Sequence, residues 1–318
     1  MTDTTPQLRF RDGTAMPALG LGTWQVEPAA VGPMLSTALR LGYRHIDAAA
    51  IYGNESAIGA ALARALGSGD VTREQLWITS KLWNDAHDPA QVRPALERTL
   101  RDLRLDWLDL YLIHWPVAHR SGVTMPSSGA DQLSLEQQPL ADTWGAMEEL
   151  VEAGLVRHIG VSNFSIAKLT ALAAAVRITP EVNQVERHPW LQQHALLRYC
   201  CNHGILLTAY APLGRAASAD GGSLLADPVI TAIAAAHRAT SAQVLLAWGL
   251  ACGTAVIPKS VHPELLAANL AASGLCLSPE DLVAIRALDR HHRLVDGSFW
   301  VLPDGPYTLT NLWDEVAA

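Results

Sequence analysis

The stretch LDLYLIH, residues 108–114, is a short apolar run that ends in a side chain able to exchange protons. Seven other apolar runs follow the same plan, and most of them also end in a polar residue. Segments with helical periodicity separate successive runs. This alternation predicts eight βα units that close into a parallel (β/α)8 TIM barrel of the α/β class, with its active site at the carboxyl ends of the strands. The other predicted strands are residues 19–22, 44–47, 76–81, 156–163, 182–186, 205–210 and 255–259.

The segments between these strands predict how the barrel is closed and covered. Residues 8–16 hold an Asp12-Gly13 turn between two short strands, which predicts a β-hairpin that plugs the bottom of the barrel. Three long segments, residues 117–140, 211–225 and 288–318, are expected to lie at the mouth. We expect residues 1–318 to form one domain. Gly67 is expected to lie just beyond the end of the second helix. Helices are predicted over residues 28–41, 55–66, 88–103, 142–153, 165–176 and 192–203.

Composition narrows the class of protein. The chain has 318 residues, of which 49% are hydrophobic and 17% charged, so it can bury a large core. Its net charge of −8 argues against general binding to nucleic acid or to an anionic membrane. It shows no secretion signal and no membrane-spanning run, and its four cysteines have no metal-binding spacing. These features predict a cytoplasmic protein with a small-molecule partner and no bound metal.

Four polar residues at three consecutive strand ends predict the chemistry. Asp47, Tyr52, Lys81 and His114 are expected to converge at the mouth. A lysine ammonium close to a tyrosine stabilises the phenolate and is expected to lower the tyrosine pKa from its usual value near 10. Asp47 would hold Lys81 charged, and a neutral His114 would orient a carbonyl oxygen. Together they predict reduction of a carbonyl, with Tyr52 as the general acid.

Each of these residues also has an ordinary structural interpretation. Asp47 could cap a turn, Tyr52 could pack its ring beside a turn, and Lys81 could be solvated. His114 could be a buried histidine whose hydrogen bonds are satisfied. All four interpretations would have to hold at once on successive strands, so the catalytic interpretation is preferred.

Nine short motifs in order along the chain resemble those of the aldo-keto reductases, and the resemblance covers nearly its whole length. It implies an enzyme of the alcohol dehydrogenase (NADP+) or aldose reductase type, often monomeric, whose catalytic tetrad falls on the four residues above. The motifs are GLGTW (20–24), GYRHID (42–47), IYGNE (51–55), ITSKLW (78–83), LIHWP (112–116), GVSNF (160–164), NQVE (183–186), AYAPLG (209–214) and IPKS (257–260).

The resemblance also implies a nicotinamide dinucleotide lying extended across the mouth. Lys259 and Ser260 would contact its 2′-phosphate, which favours NADPH. Two departures leave NADH open: Leu265 stands where relatives commonly have arginine, and Ala268 where they often have glutamate. The implied cofactor contacts are Thr23, Trp24, Asp47, Ser162, Asn163, Gln184, Tyr210, Leu213, Gly214, Lys259, Ser260 and Asn269.

The same resemblance implies an aromatic substrate pocket above the nicotinamide, suited to aldehydes and aldoses. Two other functions are open to such a chain. A non-catalytic module that senses redox state through bound dinucleotide is the main alternative, and a metal-dependent hydrolase is disfavoured because Lys81 would repel a nearby cation. The implied substrate contacts are Trp24, Ile51, Trp83, His114 and Trp115, with Trp300 and Trp313 as further candidates.

Overall fold

A computed structural model describes residues 5–214 and 222–314 of the chain. Its strands are β1 (Gln7–Arg9), β2 (Ala15–Pro17), β3 (Leu21–Gly22), β4 (His45–Asp47), β5 (Trp77–Leu82), β6 (Leu108–Ile113), β7 (Ala118–His119), β8 (Gln132–Leu133), β9 (Val156–Ser162), β10 (Val182–Glu186), β11 (Leu206–Tyr210) and β12 (Ala255–Val256). Eight of them form one parallel sheet in the order β3-β4-β5-β6-β9-β10-β11-β12.

The two edges of this sheet meet and close the barrel. Leu19 bridges Val256 in parallel register, and the Val256 N–H donates to the Ala18 carbonyl over 2.7 Å. The Gly20 N–H donates back to the Val256 carbonyl over 2.9 Å. The predicted (β/α)8 barrel is therefore confirmed, and every predicted run supplies one of its eight strands.

The helices surround the barrel, and the six predicted helices are all present, with ends that differ from the predicted ones by up to three residues. They are α1 (Pro28–Leu41), α2 (Glu55–Ser68), α3 (Pro89–Leu103), α4 (Leu140–Glu152), α5 (Ile166–Ala173), α6 (His194–Asn202), α7 (Pro228–His237), α8 (Ser241–Ala251), α9 (Pro263–Ala271), α10 (Pro279–Arg286) and α11 (Leu309–Trp313). The prediction that Gly67 follows α2 is wrong: the helix runs through it and ends at Gly69, which has φ +78°. A helix ends where a residue adopts the left-handed conformation, and a glycine that keeps helical backbone angles does not end it. α5 also stops at Ala173, three residues before the predicted end.

The amino-terminal hairpin lies at the bottom of the barrel, as predicted. β1 and β2 pair antiparallel, and Gly13 takes φ +89° in the turn between them. The ring of Phe10 stacks on Trp77 at 5.2 Å between centroids and on His158 at 4.0 Å. Because Trp77 is the first residue of β5, this contact is at the amino-terminal end of the strands, opposite the mouth.

The long loop after β6 and the carboxyl-terminal segment pack on each other. β7 and β8 pair within that loop. The Tyr307 hydroxyl accepts from the Ala118 N–H over 2.7 Å and donates to the Leu133 carbonyl over 2.6 Å, which joins both strands to the segment after α10. Of the third predicted loop, residues 215–221 lie outside the described residues.

Among the described residues, no single helix has the length and apolar character needed to cross a membrane. α7 and α8 reach that standard only as a pair, across a bend of 91°. Ile230 of α7 and Trp248 of α8 are buried in one hydrophobic cluster, so these helices are apolar because they pack on each other.

Candidate active site

Neighbouring strands bring the four predicted catalytic residues to one place. Asp47 is the last residue of β4, Lys81 lies near the end of β5, and His114 directly follows β6. Tyr52 ends the short 3-10 helix Ala50–Tyr52, which follows β4. Since β4, β5 and β6 are adjacent and parallel, their carboxyl ends present these side chains together.

Asp47 and Lys81 form a buried ion pair at the base of this site. Lys81 is 0% exposed and Asp47 1% exposed, and Nζ lies 2.5 Å from Oδ1. The same Nζ donates to the Ala48 carbonyl over 2.9 Å and to the Tyr52 hydroxyl oxygen over 3.4 Å. The other Asp47 oxygen, Oδ2, accepts from Gln184 Nε2 over 2.6 Å. These bonds hold the ammonium group beside the phenol.

Burial and these partners set the protonation of the lysine and the tyrosine. Burial alone would lower the pKa of Lys81, but Asp47 and Tyr52 outweigh it and leave that pKa raised, so the lysine is charged. Burial raises the pKa of Tyr52, and the ammonium of Lys81 offsets only part of that increase. The expectation of a lowered tyrosine pKa is therefore wrong, because desolvation of the phenolate outweighs one nearby charge. Tyr52 keeps its proton at neutral pH.

His114 is held as a neutral ring between two aromatic side chains. Its centroid lies 5.8 Å from the Tyr52 ring and 5.0 Å from the Trp83 ring, both edge-to-face. Burial, with a contribution from Lys81, lowers the pKa of His114 well below its usual value. This agrees with the prediction of a neutral imidazole. The Asn163 amide fixes the backbone here by donating to the His114 carbonyl over 3.0 Å.

Four of the implied cofactor residues form one hydrogen-bond network with the tetrad. Ser162 Oγ donates to the Gln184 carbonyl over 2.8 Å, and Asn163 Nδ2 donates to Ser162 Oγ over 3.2 Å. The Tyr210 hydroxyl donates to Asn163 Oδ1 over 2.8 Å. Because Gln184, in the middle of β10, also donates to Asp47, it links the carboxyl ends of β9 and β11 to the Asp47–Lys81 pair.

The other implied cofactor contacts differ in their surroundings. Thr23 is buried, and its hydroxyl donates to the Asp47 carbonyl over 2.8 Å, so it supports the end of β4. Leu213 is half-buried, and Gly214 takes φ +70° immediately before the undescribed residues 215–221. Trp24 is 49% exposed.

The residues implied for the 2′-phosphate lie between β12 and α9. Lys259 is exposed, whereas Ser260 is buried and its Oγ accepts from the His262 N–H over 3.2 Å. Asn269 is buried on α9. Leu265, at the position where an arginine was expected, is 49% exposed and presents an apolar side chain. These groups lie outside the hydrogen-bond network of the tetrad.

Comparisons with known proteins identify the family of this chain. The model of the aldo/keto reductase family matches residues 18–290. The chain belongs to that family. It is 54% identical over 311 residues to an aldo/keto reductase of Synechocystis sp., covering 96% of this chain and 95% of the relative. Aldo-keto reductase family 1 member A1 is 41% identical in Mus musculus over 298 residues, covering 92% of each chain. The same member in Homo sapiens is 42% identical over 289 residues, covering 89% of each.

Membership makes this aldo/keto reductase an oxidoreductase, in a family that uses nicotinamide cofactors. Its donor set fits such a cofactor, because the amides of Asn163 and Gln184 and the ring of Tyr210 lie beside the tetrad. Within residues 5–214 and 222–314, no group of three or more histidine, cysteine, aspartate or glutamate side chains could hold a metal ion.

An aromatic cluster covers one side of the tetrad in this aldo/keto reductase. Trp300 is fully buried, with its ring 5.7 Å from Trp83 and 5.9 Å from Trp115, and Ile51 packs on the same cluster. Trp313 lies 5.9 Å from Trp115. Four of the five implied substrate contacts belong to this cluster or touch it: Trp83 and Trp115 are members, Ile51 packs on it, and His114 contacts Trp83. Trp24 lies outside it.

Sequence reasoning missed the group that holds the carboxyl-terminal segment at the mouth. Glu186, the last residue of β10, accepts from the backbone N–H groups of Leu294 and Val295, each over 2.7 Å. It also accepts from His188 Nε2 over 2.7 Å. The signal was its position at the end of a predicted strand, the criterion that identified Asp47.

Proposed function

We propose that this aldo/keto reductase catalyses the NAD(P)H-dependent reduction of aldehydes, aldoses or related carbonyls to alcohols. One observation carries the proposal. The Tyr52 hydroxyl lies 3.4 Å from a lysine ammonium that Asp47 holds in place, with the neutral ring of His114 beside it. A protonated phenol next to a fixed positive charge is suited to protonating an oxygen that is gaining negative charge.

Each residue of the tetrad has a distinct part in this proposal. The reduced nicotinamide, when bound, supplies the hydride that adds to the carbonyl carbon. His114 donates a hydrogen bond to the carbonyl oxygen and orients it. Tyr52 transfers its hydroxyl proton to that oxygen, and the phenolate left behind is stabilised by Lys81. Asp47 keeps Lys81 charged and in position.

The amide and ring groups at the ends of β9 and β11 and in the middle of β10 would bind the cofactor. Ser162, Asn163 and Gln184 would take the carboxamide, and Tyr210 would stack on the nicotinamide ring. Their mutual hydrogen bonds support this role, because they fix the donor directions before binding. Lys259 would favour NADPH by contacting the 2′-phosphate, and the apolar Leu265 adds no second charge there.

The aromatic cluster supports a preference for compact aldehydes. Trp83 packs tilted and Trp115 edge-on against Trp300, which leaves rigid apolar walls beside His114. Rigid walls accept a small carbonyl compound with little loss of side-chain entropy. Bulky ketones would have to displace Trp300, which is fully buried.

Loss of reduced-nicotinamide absorbance tests this function directly. The purified protein is mixed with NADPH or NADH and a panel of small aldehydes, aldoses and keto acids. We expect oxidation with aldehydes, faster with NADPH than with NADH. Tight cofactor binding without oxidation across the panel would contradict the proposal and favour the redox-sensing module.

A further inference from the structure

A cavity of about 680 Å³ opens on the face of the barrel opposite the mouth. It lies between the amino-terminal hairpin, α6, the start of β11 and the turn after α8; we call it the basal cavity. Leu206 is the first residue of β11, and Arg9 belongs to β1 of the plug. Because the strands are parallel, their amino ends and this cavity face away from the tetrad.

Positive charge surrounds the basal cavity. Its lining includes Arg9, Arg11, Arg198, Arg286 and His194, and it includes no aspartate or glutamate. Among the described residues, no carboxylate oxygen lies within ion-pair distance of these four guanidinium groups. Four unneutralised arginines around one cavity contrast with the net charge of −8 of the whole chain.

One of the lining arginines, Arg11, is held in position. Arg11 donates from Nη1 to Thr179 Oγ1 over 2.6 Å and from Nη2 to the His203 carbonyl. The Arg11 Nε lies over Gly204. A Cβ added to Gly204 would come within 2.6 Å of that nitrogen, and Gly204 itself has φ +62°. Glycine at this position therefore lets the guanidinium lie against the backbone.

The imidazole of His194 has an unused polar atom. Its Nε2 is buried and has no hydrogen-bond partner among the residues that the structure describes. Burial lowers the pKa of His194, and the charges of Arg286 and Arg198 lower it further. Asp289 acts in the opposite direction, but it accepts from the backbone N–H groups of Gln192 and His291.

The rest of the lining is largely apolar. Phe10, Leu197, Ile205 and Leu207 lie beside the arginines. Guanidinium groups bind phosphate oxygens in bidentate fashion, and apolar walls bind the body of an organic ligand. The volume is within the range of roughly 300–1,000 Å³ that small-molecule sites occupy.

We propose that the basal cavity binds a small organic polyphosphate, its phosphates on the arginines and its organic body on the apolar wall. The site is separate from the mouth, so this binding does not depend on the proposed carbonyl reduction. The cavity also carries its own reporters. Cys201, which is exposed, and Cys252 both line it, whereas Cys276 is exposed but is not part of the lining.

Alkylation of these cysteines tests the proposal in the full-length protein. Rates of iodoacetamide labelling at Cys201 and Cys276 are measured by mass spectrometry with adenosine triphosphate, with pyrophosphate, or with sodium chloride at equal ionic strength. Labelling of Cys201 should slow about tenfold when adenosine triphosphate is present at ten times its dissociation constant. Labelling of Cys276 should not change.

Charge reversal provides the matched control. Arg198→Glu with Arg286→Glu should abolish the protection of Cys201, whereas Arg93→Glu with Arg101→Glu, which changes two exposed arginines of α3, should retain it. Equal slowing by sodium chloride would overturn the proposal, as would protection that survives the first pair of substitutions. Equal protection by pyrophosphate would overturn the assignment of an organic body.

Discussion

The two faces of β5 place two buried carboxylates in different surroundings. Ser80 and Lys81 are neighbours on this strand and point to opposite sides of it. Inside the barrel, Asp47 accepts from the Lys81 ammonium and the Gln184 amide. Outside it, Glu55 of α2 accepts from the Ser80 hydroxyl over 2.5 Å and from the Thr99 hydroxyl of α3 over 3.0 Å.

Similar burial has different consequences at the two carboxylates. Glu55 is 5% exposed and its direct partners are neutral, so burial raises its pKa to about 7. Asp47 instead faces Lys81, and the raised pKa of Lys81 keeps the lysine charged. The Lys81 ammonium thus keeps its charge despite burial because a carboxylate faces it, whereas Glu55 has only neutral direct partners.

Removing the charged partner should have the largest effect. Lys81→Met leaves Asp47 buried without its cation, which is expected to cost about 3–5 kcal/mol in the free energy of unfolding. Lys259→Met, at an exposed lysine of the same mouth, should change it by less than about 0.5 kcal/mol. Urea unfolding of the three proteins measures both values. Equal losses of unfolding free energy in the two variants would show that the buried Asp47–Lys81 pair contributes no more to stability than an exposed lysine.

The carboxylate outside the barrel should give a pH-dependent effect of intermediate size. The pKa of Glu55 is raised to about 7 in the folded protein, from an ordinary value of 4.5. The folded state therefore binds the proton more tightly, and stability should fall as pH rises from about 4.5 to about 7, by roughly 3 kcal/mol.

Glu55→Gln should remove this fall, because an amide does not ionise. Urea unfolding at pH 5 and pH 8, with Glu97→Gln as an exposed control on α3, isolates the contribution. A wild-type loss of stability that persists unchanged in Glu55→Gln would place its origin in other groups.

The exposed part of the mouth should give the smallest effect. If Lys259 is the main charge that meets a 2′-phosphate, Lys259→Ala should raise KM for NADPH on the order of tenfold, because an exposed charge pair is weakened by solvent. KM for NADH should stay unchanged. An equal rise in KM for NADPH and NADH would show that Lys259 is not the cause of a preference for NADPH.

The sequence predicted the repeated strands of the barrel and the polar side chains that meet at their carboxyl ends. Eight apolar runs gave the strand order, and polar residues at their ends gave Asp47, Lys81 and His114. This succeeded because parallel strands bring their carboxyl ends to one edge whatever the loops do. The Asp-Gly turn of the plug was equally local, since Gly13 adopts the left-handed conformation that such a turn requires.

Properties that depend on three-dimensional surroundings were predicted less well. The direction of the Tyr52 pKa depends on how much water the fold excludes, which spacing along the chain does not reveal. The extension of α2 through Gly67 depends on a backbone angle two residues later. The position of Glu186 at a predicted strand end was visible, but the residues that it holds lie more than a hundred positions away, and no local pattern reveals that partner.

In the proposed reaction the Tyr52 hydroxyl delivers the proton, and removal of that hydroxyl tests this role. Tyr52→Phe should lower kcat with an aldehyde and NADPH by about 10²- to 10⁴-fold, while cofactor affinity is retained. Tyr111→Phe is the matched control, because it removes a buried tyrosine hydroxyl that has no partner among the described residues. It should leave kcat unchanged. If Tyr52→Phe turned over as fast as Tyr111→Phe, the proton would come from another group and Tyr52 would not be the general acid.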